Sequence, residues 1–217
     1  MKYAMADVRK QLYSAVVADA LDQLGFRHQS PRADLLPLTS QSSVLLGRCK
    51  TTLWADMAHV DTHPYELELK AVDECVPDDV FIAAANGSMR SGIWGELLTT
   101  AALNRGCVGA IIDGAVRDVS KISDMNFPVW ARGTCVYDSL NRQRVIDINI
   151  VVEIDHVRFT PGDLVIADRD GIVVVPQSVE DDTLRLALEK VHGENMVRDA
   201  IRQGMKATDA FQKYGIL

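Results

Sequence analysis

The 217-residue sequence predicts an α/β fold, and three patterns along the chain support that prediction. The middle third alternates short apolar runs with loops and helical segments, which is the order of βαβ units. The last third is rich in β-branched and turn residues. Helical periodicity stands near both ends of the chain. Together these patterns predict a central mixed sheet flanked by helices, in one domain that spans residues 1–217.

The N-terminal part is predicted to begin with a helix. Residues 7–24 place apolar side chains at three- and four-residue intervals, and Gly25 follows as a stop, so we predict one amphipathic helix there. Pro77 ends the last helix of this part. The other elements predicted here are a loop over 26–37, a strand over 44–53, an irregular segment over 54–64 and a helix over 66–75.

The middle third has the pattern that is most informative about function. Apolar runs at 80–85 and 107–112 predict two buried strands, and residues 96–105 between them predict a helix. Loops over 86–94 and 113–118 follow the two strands. Because α/β proteins place ligands where the carboxyl ends of neighbouring strands meet, we expect the two loops to form one site.

The C-terminal part changes character at Val129. Its β-rich segments predict an antiparallel sheet, with Pro161–Asp163 and Asp170–Gly171 as hairpin turns. A final helix is predicted over 178–203, before a short tail. The β-rich segments are 129–137, 145–154 and 157–176.

Composition and charge exclude several classes of protein. The formal net charge is −7, and clustered Lys and Arg are absent, so we expect neither a nucleic acid nor a membrane as partner. Four cysteines lie far apart without a C-x-x-C pair, which favours reduced, mostly buried thiols. Neither a secretory leader nor a long apolar run is present in the sequence, so we expect a cytoplasmic protein with small-molecule or protein partners.

The two middle loops supply the candidate functional residues. A helix that starts near Glu96 leaves the N–H groups of Leu97 and Leu98 without helical acceptors, and these groups can bind a carboxylate or phosphate. Arg117 offers a planar fork for the same carboxylate, and Asp118 is a hard oxygen ligand suited to Mg²⁺ or Mn²⁺. The alternative is an ordinary helix start beside an exposed Arg-Asp pair, whose ion pair contributes about 0 to 1 kcal/mol.

The run GELLTTAALNRGCVGAIIDGAVRD, at 95–118, resembles the signature of the class II pyruvate aldolases. Those enzymes cleave 4-hydroxy-4-methyl-2-oxoglutarate and 4-carboxy-4-hydroxy-2-oxoadipate, and they belong to the RraA-like superfamily, named for the regulator of ribonuclease activity A. Residues 161–176 and 17–21 are also similar to segments of that superfamily. The resemblance implies a swivelling β/β/α-type sandwich and a homotrimer or homohexamer, in which the helix over 178–203 packs on a neighbouring subunit.

The resemblance also implies a role for each candidate residue. Asp118 would be the direct ligand of Mg²⁺ or Mn²⁺, and Arg117 would bind the pyruvyl carboxylate and the enolate oxygen. Glu96 stands where these aldolases carry Asp, and it would act in catalysis and hold a metal-bound water. Glu194 would reach the metal shell of a neighbouring subunit through water, whereas the alternative for it is an exposed helix residue. The residues implied to bind the substrate are Gly95, Glu96, Leu97, Leu98 and Arg117.

The implied reaction is metal-dependent cleavage of the C3–C4 bond of a small 2-oxo acid. It releases pyruvate plus a second 2-oxo acid, as in the catabolism of aromatic acids. The same polarisation would permit decarboxylation of oxaloacetate. An imine-forming aldolase is disfavoured because lysines are scarce and none stands in an apolar run that would lower its pKa. The lysines between residues 11 and 189 are Lys50, Lys70 and Lys121.

Two other functions remain open. The founding members of the superfamily are non-catalytic regulators that bind ribonuclease E, and they lack an acid after the motif arginine, so Asp118 favours the aldolase. A related lyase that acts on another 2-oxo acid or on a sugar acid is the second alternative, because the motif addresses only the pyruvyl end of a substrate.

Two weaker patterns favour structural roles. His59 and His63 have the spacing of zinc ligands on a helix, but Pro64 and the lack of a glutamate after His59 favour a polar loop. The segment 168–171, Asp-Arg-Asp-Gly, resembles the start of a calcium loop but lacks its later ligands, which favours a tight hairpin.

Overall fold

The computed structural model describes residues 3–39 and 44–216. The α/β class predicted from the sequence is confirmed; that residues 1–217 form one domain stays a prediction. The helices are α1 (Met5–Gln11), α2 (Ser14–Gln23), α3 (Glu66–Asp73), α4 (Glu96–Asn104), α5 (Val119–Asp124), α6 (Glu180–Arg202) and α7 (Ala207–Tyr214). The strands are β1 (Leu36–Pro37), β2 (Leu45–Asp56), β3 (Asp79–Ala84), β4 (Gly92–Trp94), β5 (Gly109–Val116), β6 (Val129–Thr134), β7 (Gln143–Ile148), β8 (Val152–Ile154), β9 (Val157–Phe159), β10 (Leu164–Ala167) and β11 (Ile172–Val175).

Parallel pairing dominates the middle of the larger sheet. Within the described residues this sheet runs in the order β1-β6-β5-β3-β2-β10-β11, while β4 pairs with β5 and β7 pairs with β2. The four adjacent strands β6, β5, β3 and β2 are parallel to one another, and α4 lies on the connection from β3 to β5. The predicted βαβ unit is therefore confirmed. The strands β8 and β9 form a separate antiparallel hairpin.

The central strands are buried on both faces. Phe81 and Ala83 of β3 pack into one apolar cluster, whereas Val80 and Ile82 pack into a second cluster on the other side of the sheet. Every residue of β3 and β5 is buried. Continuous apolar runs, rather than alternation, are what such two-sided burial requires.

The predicted single helix over 7–24 is wrong, because the chain is extended at Leu12 and Tyr13 between α1 and α2. The carboxylate of Asp168 accepts hydrogen bonds from the backbone N–H of Ser14 at 2.7 Å and from its hydroxyl at 2.6 Å. Asp168, in the turn of the β10–β11 hairpin, thus provides an acceptor for a backbone N–H in the first turn of α2 that has no partner within the helix. The periodicity remains in the burial of Val8, Leu12 and Val16 on both sides of the break.

Four further predictions are corrected. Residues 113–116 belong to β5 rather than to a loop, since β4 and β6 both pair with that end of the strand. The turn at Pro161–Asp163 is not a hairpin, because β9 pairs with β8 whereas β10 pairs with β2 and β11. Strand β6 is parallel to β5, so the C-terminal part is only partly antiparallel, and the predicted tail contains α7.

Other predictions hold in the described part of the chain. The segment 168–171 forms the tight turn of the β10–β11 hairpin. All four cysteines are free, and three of them are buried. Across residues 3–39 and 44–216, none of the helices has the length and apolar character needed to cross a membrane.

The contact between Asp168 and Ser14 gives a test of the fold. Replacing Asp168 by Ala leaves the start of α2 without its acceptor, so we expect the free energy of unfolding to fall by about 2 kcal/mol, as for other lost helix caps. Chemical denaturation measures the change. The matched control is Asp170→Ala on the same turn, where the side chain is exposed and the expected change is within about 0.5 kcal/mol. Equal stability of the two variants would contradict this account of the helix break.

Candidate functional site

A cavity of about 480 Å³ lies where β4 and β5 end. Its lining includes the predicted residues Gly95–Leu98, Arg117 and Asp118. Residues from α3 and from the segment after β6 complete it, and the sequence analysis did not identify them. The segments 86–94 and 113–118, predicted as loops, do meet at this edge of the sheet, but they meet as the strand pair β4 and β5.

The pairing of β4 with β5 brings the two halves of the motif together. Trp94 lies opposite Val116 in this pair, and the backbone N–H of Arg117 donates to the carbonyl of Trp94 at 2.9 Å. The indole of Trp94 is fully buried, with its ring centroid 4.7 Å from that of Phe81. This packing anchors a strand of only three residues. Arg117 therefore emerges directly beside Gly95.

Asp118 turns its carboxylate toward the start of α4. Its φ of 57° is in the left-handed region, which Asp tolerates better than most residues. The side chain makes no capping hydrogen bond to its own helix α5. Instead it accepts a hydrogen bond from the backbone N–H of Glu96 at 3.2 Å. The carboxylate thus stands at the mouth of α4, inside the cavity.

Glycine at position 95 permits this close approach. A Cβ atom on Gly95 would lie 2.9 Å from Oδ2 of Asp118 and 3.2 Å from Cγ of Arg117. Any larger side chain at this position would push the two functional side chains away.

Ion pairs with two carboxylates hold the guanidinium of Arg117. Its Nη2 lies 2.7 Å from Oδ2 of Asp138, and its Nε lies 3.8 Å from Oδ2 of Asp118. Asp138 also accepts from the hydroxyl of Tyr65 at 2.6 Å and from the N–H of Leu140 at 2.8 Å. Arg117 is thereby oriented, and guanidinium donors beyond those two contacts remain for a ligand.

Asp138 stays ionised in this network. Burial raises the pKa of its carboxyl, but the hydrogen bond from Tyr65, the N–H of Leu140 and the positive charge of Arg117 outweigh burial, so the net pKa lies below the usual value. In return, burial and the hydrogen bond to Asp138 raise the pKa of Tyr65 to about 12.

Glu68 is the functional candidate that the sequence analysis missed. It lies on α3, lines the same cavity and is 7% exposed. Burial, followed by the negative charge of Asp138, raises the pKa of its carboxyl to about 8, although a hydrogen bond with Ser139 and the charge of Arg117 oppose the shift. The sequence pattern could have indicated Glu68, because a charged residue three and four positions before the apolar residues Ala71 and Val72 lies on the same, buried face of α3.

The remaining predicted residues differ in their surroundings. Glu96 lines the cavity, and its carboxylate accepts from the hydroxyl of Thr100 at 3.3 Å. Leu97 exposes its side chain, so only its N–H can serve a ligand in the way predicted. Glu194 lies on α6 and does not line this cavity. Its carboxylate accepts a hydrogen bond from the hydroxyl of Tyr13, the residue before α2. Its contribution to a neighbouring subunit stays a prediction.

The lysines also differ in their surroundings. Lys50 is buried in β2, between Cys49 and Thr51, and it pairs with Glu74 at 3.3 Å outside the cavity. Lys121 lines the cavity, but its side chain is exposed.

The donor set fits a magnesium-type cation better than a zinc cage. Throughout the described ranges, no three His, Cys, Asp or Glu side chains cluster as metal ligands. His59 and His63, the weaker candidates, therefore gain no support as a zinc site. Mg²⁺ is commonly held by one or two carboxylates and keeps several waters. Asp118 and Glu96 are the carboxylates of the motif that line the cavity and could hold such an ion.

Comparisons with known proteins agree with this architecture. A protein of Halalkalibacterium halodurans, provisionally named 4-hydroxy-4-methyl-2-oxoglutarate aldolase, is 32% identical over 143 residues, which cover 66% of this chain and 68% of that protein. Protein DlpA of Legionella pneumophila is 29% identical over 93% of this chain, which corresponds to only 32% of the length of DlpA.

The fold has a solved counterpart in Streptomyces coelicolor RraAS2, described as an unusual member of the RNase ES inhibitor RraA protein family. It superposes with a TM-score of 0.78 at 26% identity and covers 91% of this chain and 98% of that one. The family model RraA-like, described as Aldolase/RraA, matches residues 14–174. On this match the chain belongs to the RraA-like family.

Proposed function

We propose that this chain is a divalent-metal-dependent aldolase of branched 4-hydroxy-2-oxo diacids. Its substrates would be 4-hydroxy-4-methyl-2-oxoglutarate or 4-carboxy-4-hydroxy-2-oxoadipate, and its products pyruvate and a second 2-oxo acid. The observation that carries the proposal is the convergence of Arg117, Asp118 and the start of α4 in one cavity. The provisional name of the relative from Halalkalibacterium halodurans supports the same reaction class.

The cavity offers two kinds of donor for the pyruvyl end of the substrate. Arg117 binds the 2-oxo carboxylate through guanidinium N–H groups that Asp138 leaves available. The N–H groups of Leu97 and Leu98, in the first turn of α4, add neutral donors for the same anion. Because negative charge moves onto the keto oxygen during cleavage, preorganised donors at this end stabilise the transition state more than the ground state.

Asp118, with Glu96 through a water, would hold Mg²⁺ or Mn²⁺, and such an ion supplies Lewis-acid stabilisation of enolate charge. Glu96, at the mouth of α4, takes the proton of the C4 hydroxyl, directly or through a water. Cleavage of the C3–C4 bond then leaves the pyruvate enolate beside Arg117. Loss of carbon dioxide from oxaloacetate produces the same enolate, so we include oxaloacetate decarboxylase activity in the proposal.

The family also contains proteins described as ribonuclease inhibitors, as RraAS2 illustrates. A regulatory surface does not require an acid beside the motif arginine, whereas the aldolase reaction does. In this chain Asp118 is present and points into the cavity with Arg117. That pairing favours an enzyme, and a related lyase on another 2-oxo or sugar acid would use the same pair.

The proposal includes assembly into a homotrimer or homohexamer. In such an assembly α6 would pack on a neighbouring subunit, and Glu194 would approach that neighbour's cavity. A mass measurement in solution, by light scattering on the purified chain, tests the assembly.

A coupled assay tests the function directly. Pyruvate release from 4-hydroxy-4-methyl-2-oxoglutarate and from oxaloacetate is followed with lactate dehydrogenase, in Mg²⁺ and in EDTA. We expect turnover in Mg²⁺ and its loss in EDTA. Turnover that EDTA leaves unchanged would contradict the role of the metal, and the absence of turnover with both substrates would contradict the aldolase.

Substitutions at the motif test the individual roles. Asp118→Ala should abolish metal-dependent turnover, because the proposed direct ligand is lost.

Arg117→Lys should lower kcat/KM at least about tenfold, since a point charge cannot replace a bidentate fork. The matched controls are Asp124→Ala and Arg105→Lys, both at exposed positions outside the cavity. A fully active Asp118→Ala variant would refute the ligand assignment.

Gly95→Ala tests the close approach at the cavity mouth. The new Cβ would meet the flexible end of Asp118 rather than backbone, so we expect a folded protein whose kcat/KM drops at least about tenfold, because Asp118 and Arg117 are displaced. Gly133→Ala is the control, since its Cβ would approach only the flexible end of Met89, outside the cavity. Unchanged kinetics of Gly95→Ala would show that this contact is not needed.

A further inference from the structure

Resting on the proposed aldolase function, we propose that Glu68 is the acid that protonates C3 of the pyruvate enolate after C3–C4 cleavage. Retro-aldol cleavage creates a carbanion equivalent at C3, and pyruvate forms only when that carbon gains a proton. The carboxylate-binding groups and Asp118 cannot supply it, since their proposed roles require anion binding or an ionised ligand. Besides Glu96, which has just taken the C4 hydroxyl proton, Glu68 is the acid lining the cavity that we assign to this step.

Glu68 occupies the place that such an acid requires. It lines the cavity together with Arg117 and Gly95, yet it comes from α3 rather than from the motif loops. Its residue exposure is only 7%, so bulk water has little access to it. A buried group that faces the substrate can protect the enolate from random protonation and deliver its own proton.

Burial and the charge of Asp138 favour the protonated form of Glu68. The ionised Asp138 lies close to it, and burial together with this charge raises the pKa of Glu68 to about 8, against the opposing effects of Ser139 and Arg117. Two neighbouring carboxyls whose surroundings separate their pKa values are a recurrent acid–base arrangement. The other charged or titratable groups that face this region are Tyr65, Glu96, Asp118, Lys121, Glu66, His63 and the ion pair of Asp61 with Arg144.

The other proton donors of the cavity fit this step less well. The hydroxyl of Tyr65 already donates to Asp138, and its pKa of about 12 makes it a weak acid. Lys121 is exposed to solvent. Glu68 is thus the buried donor of the cavity that holds a proton at neutral pH and is not committed to another anion.

The proton balance closes without a further reactant. When the C3–C4 bond breaks, its electron pair forms the C2–C3 double bond of the enolate, and the C4 hydroxyl proton passes to Glu96. The enolate electron pair then takes the proton of Glu68 to form the new C3–H bond. Glu68 is left as a carboxylate, and water returns to it the proton released from Glu96. No net proton is consumed, in agreement with the conversion of one diacid into two 2-oxo acids.

The test compares Glu68→Gln with Glu66→Gln, an exposed glutamate on the same helix. Two reactions are measured in Mg²⁺: cleavage of 4-hydroxy-4-methyl-2-oxoglutarate and, by NMR, exchange of the methyl hydrogens of pyruvate with D₂O. Because a positioned general acid contributes about 10²-fold or more, we expect Glu68→Gln to lose at least about 100-fold in both reactions. Glu66→Gln should retain wild-type rates.

The pH profiles separate proton transfer from a structural role. Cleavage needs the protonated form of Glu68, so the wild-type rate should fall as the pH rises through about 8. Exchange begins by removing a methyl proton and needs the ionised form, so its rate should rise over the same range. Neither of these two pH dependences should remain in Glu68→Gln. A Glu68→Gln variant whose rates change while both pH dependences stay in place would overturn the proposal.

Thermal unfolding supplies a readout that does not depend on turnover. Since folding raises the pKa of Glu68, its stabilising contribution is complete below about pH 4.5 and is lost as the pH rises through about 8. Relative to Glu68→Gln, the wild-type Tm should therefore decline across that window. A constant difference in Tm would overturn the assignment of Glu68 as the protonated group.

The outcomes distinguish this inference from the proposed function. A wild-type chain that cleaves its substrate while Glu68→Gln remains equally active overturns the role of Glu68 alone. A wild-type chain with no turnover and no exchange overturns the aldolase, and the proton-donor role with it. Loss of both reactions in a folded Glu68→Gln variant, with loss of the two pH dependences, supports the role of Glu68 and the aldolase function.

Discussion

The pairing of the short strand β4 with the end of β5 is the constraint on which the cavity depends. It is a contact of three residues with a strand that is buried along its whole length, and the indole of Trp94 holds it in the core. The register places residue 95 beside residue 117. Gly95 then allows the carboxylate of Asp118 to reach the mouth of α4. A fixed backbone, rather than flexible loops, thus supplies the preorganisation that catalysis at such a site requires.

Two acids of the cavity, Asp138 and Glu68, have pKa values shifted in opposite directions. The guanidinium of Arg117 lies 2.7 Å from Asp138, which favours the ionised form of that carboxyl. Burial, followed by the resulting negative charge, raises the pKa of Glu68 and outweighs the opposing charge of Arg117. An ionised and a protonated carboxyl can therefore coexist near neutral pH within one cavity. The arginine that is proposed to bind the substrate lowers the pKa of both carboxyls, so its substitution affects more than substrate affinity.

Local patterns in the sequence were enough to predict the centre of the molecule. The runs that became β3 and β5 are continuous and apolar because both faces of these strands are buried, and the residues at their ends were recognised as one site. Contacts between distant segments could not be foreseen in the same way. The break before α2 depends on Asp168, 154 residues away from Ser14, and Asp138 reaches Arg117 from the segment after β6. Glu68 was visible only as a charged residue on the apolar face of α3, a pattern whose meaning depends on what the helix packs against.

Asp118 and Arg117 are proposed to hold one ligand together with a cation. A crystal structure of the chain with Mn²⁺ and oxalate, a planar analogue of the pyruvate enolate, tests this proposal most directly, because anomalous scattering locates the manganese. The account predicts a manganese peak about 2 Å from a carboxylate oxygen of Asp118, with an oxalate carboxylate hydrogen-bonded to Arg117. Manganese and oxalate bound elsewhere, with Asp118 and Arg117 free of both, would contradict it.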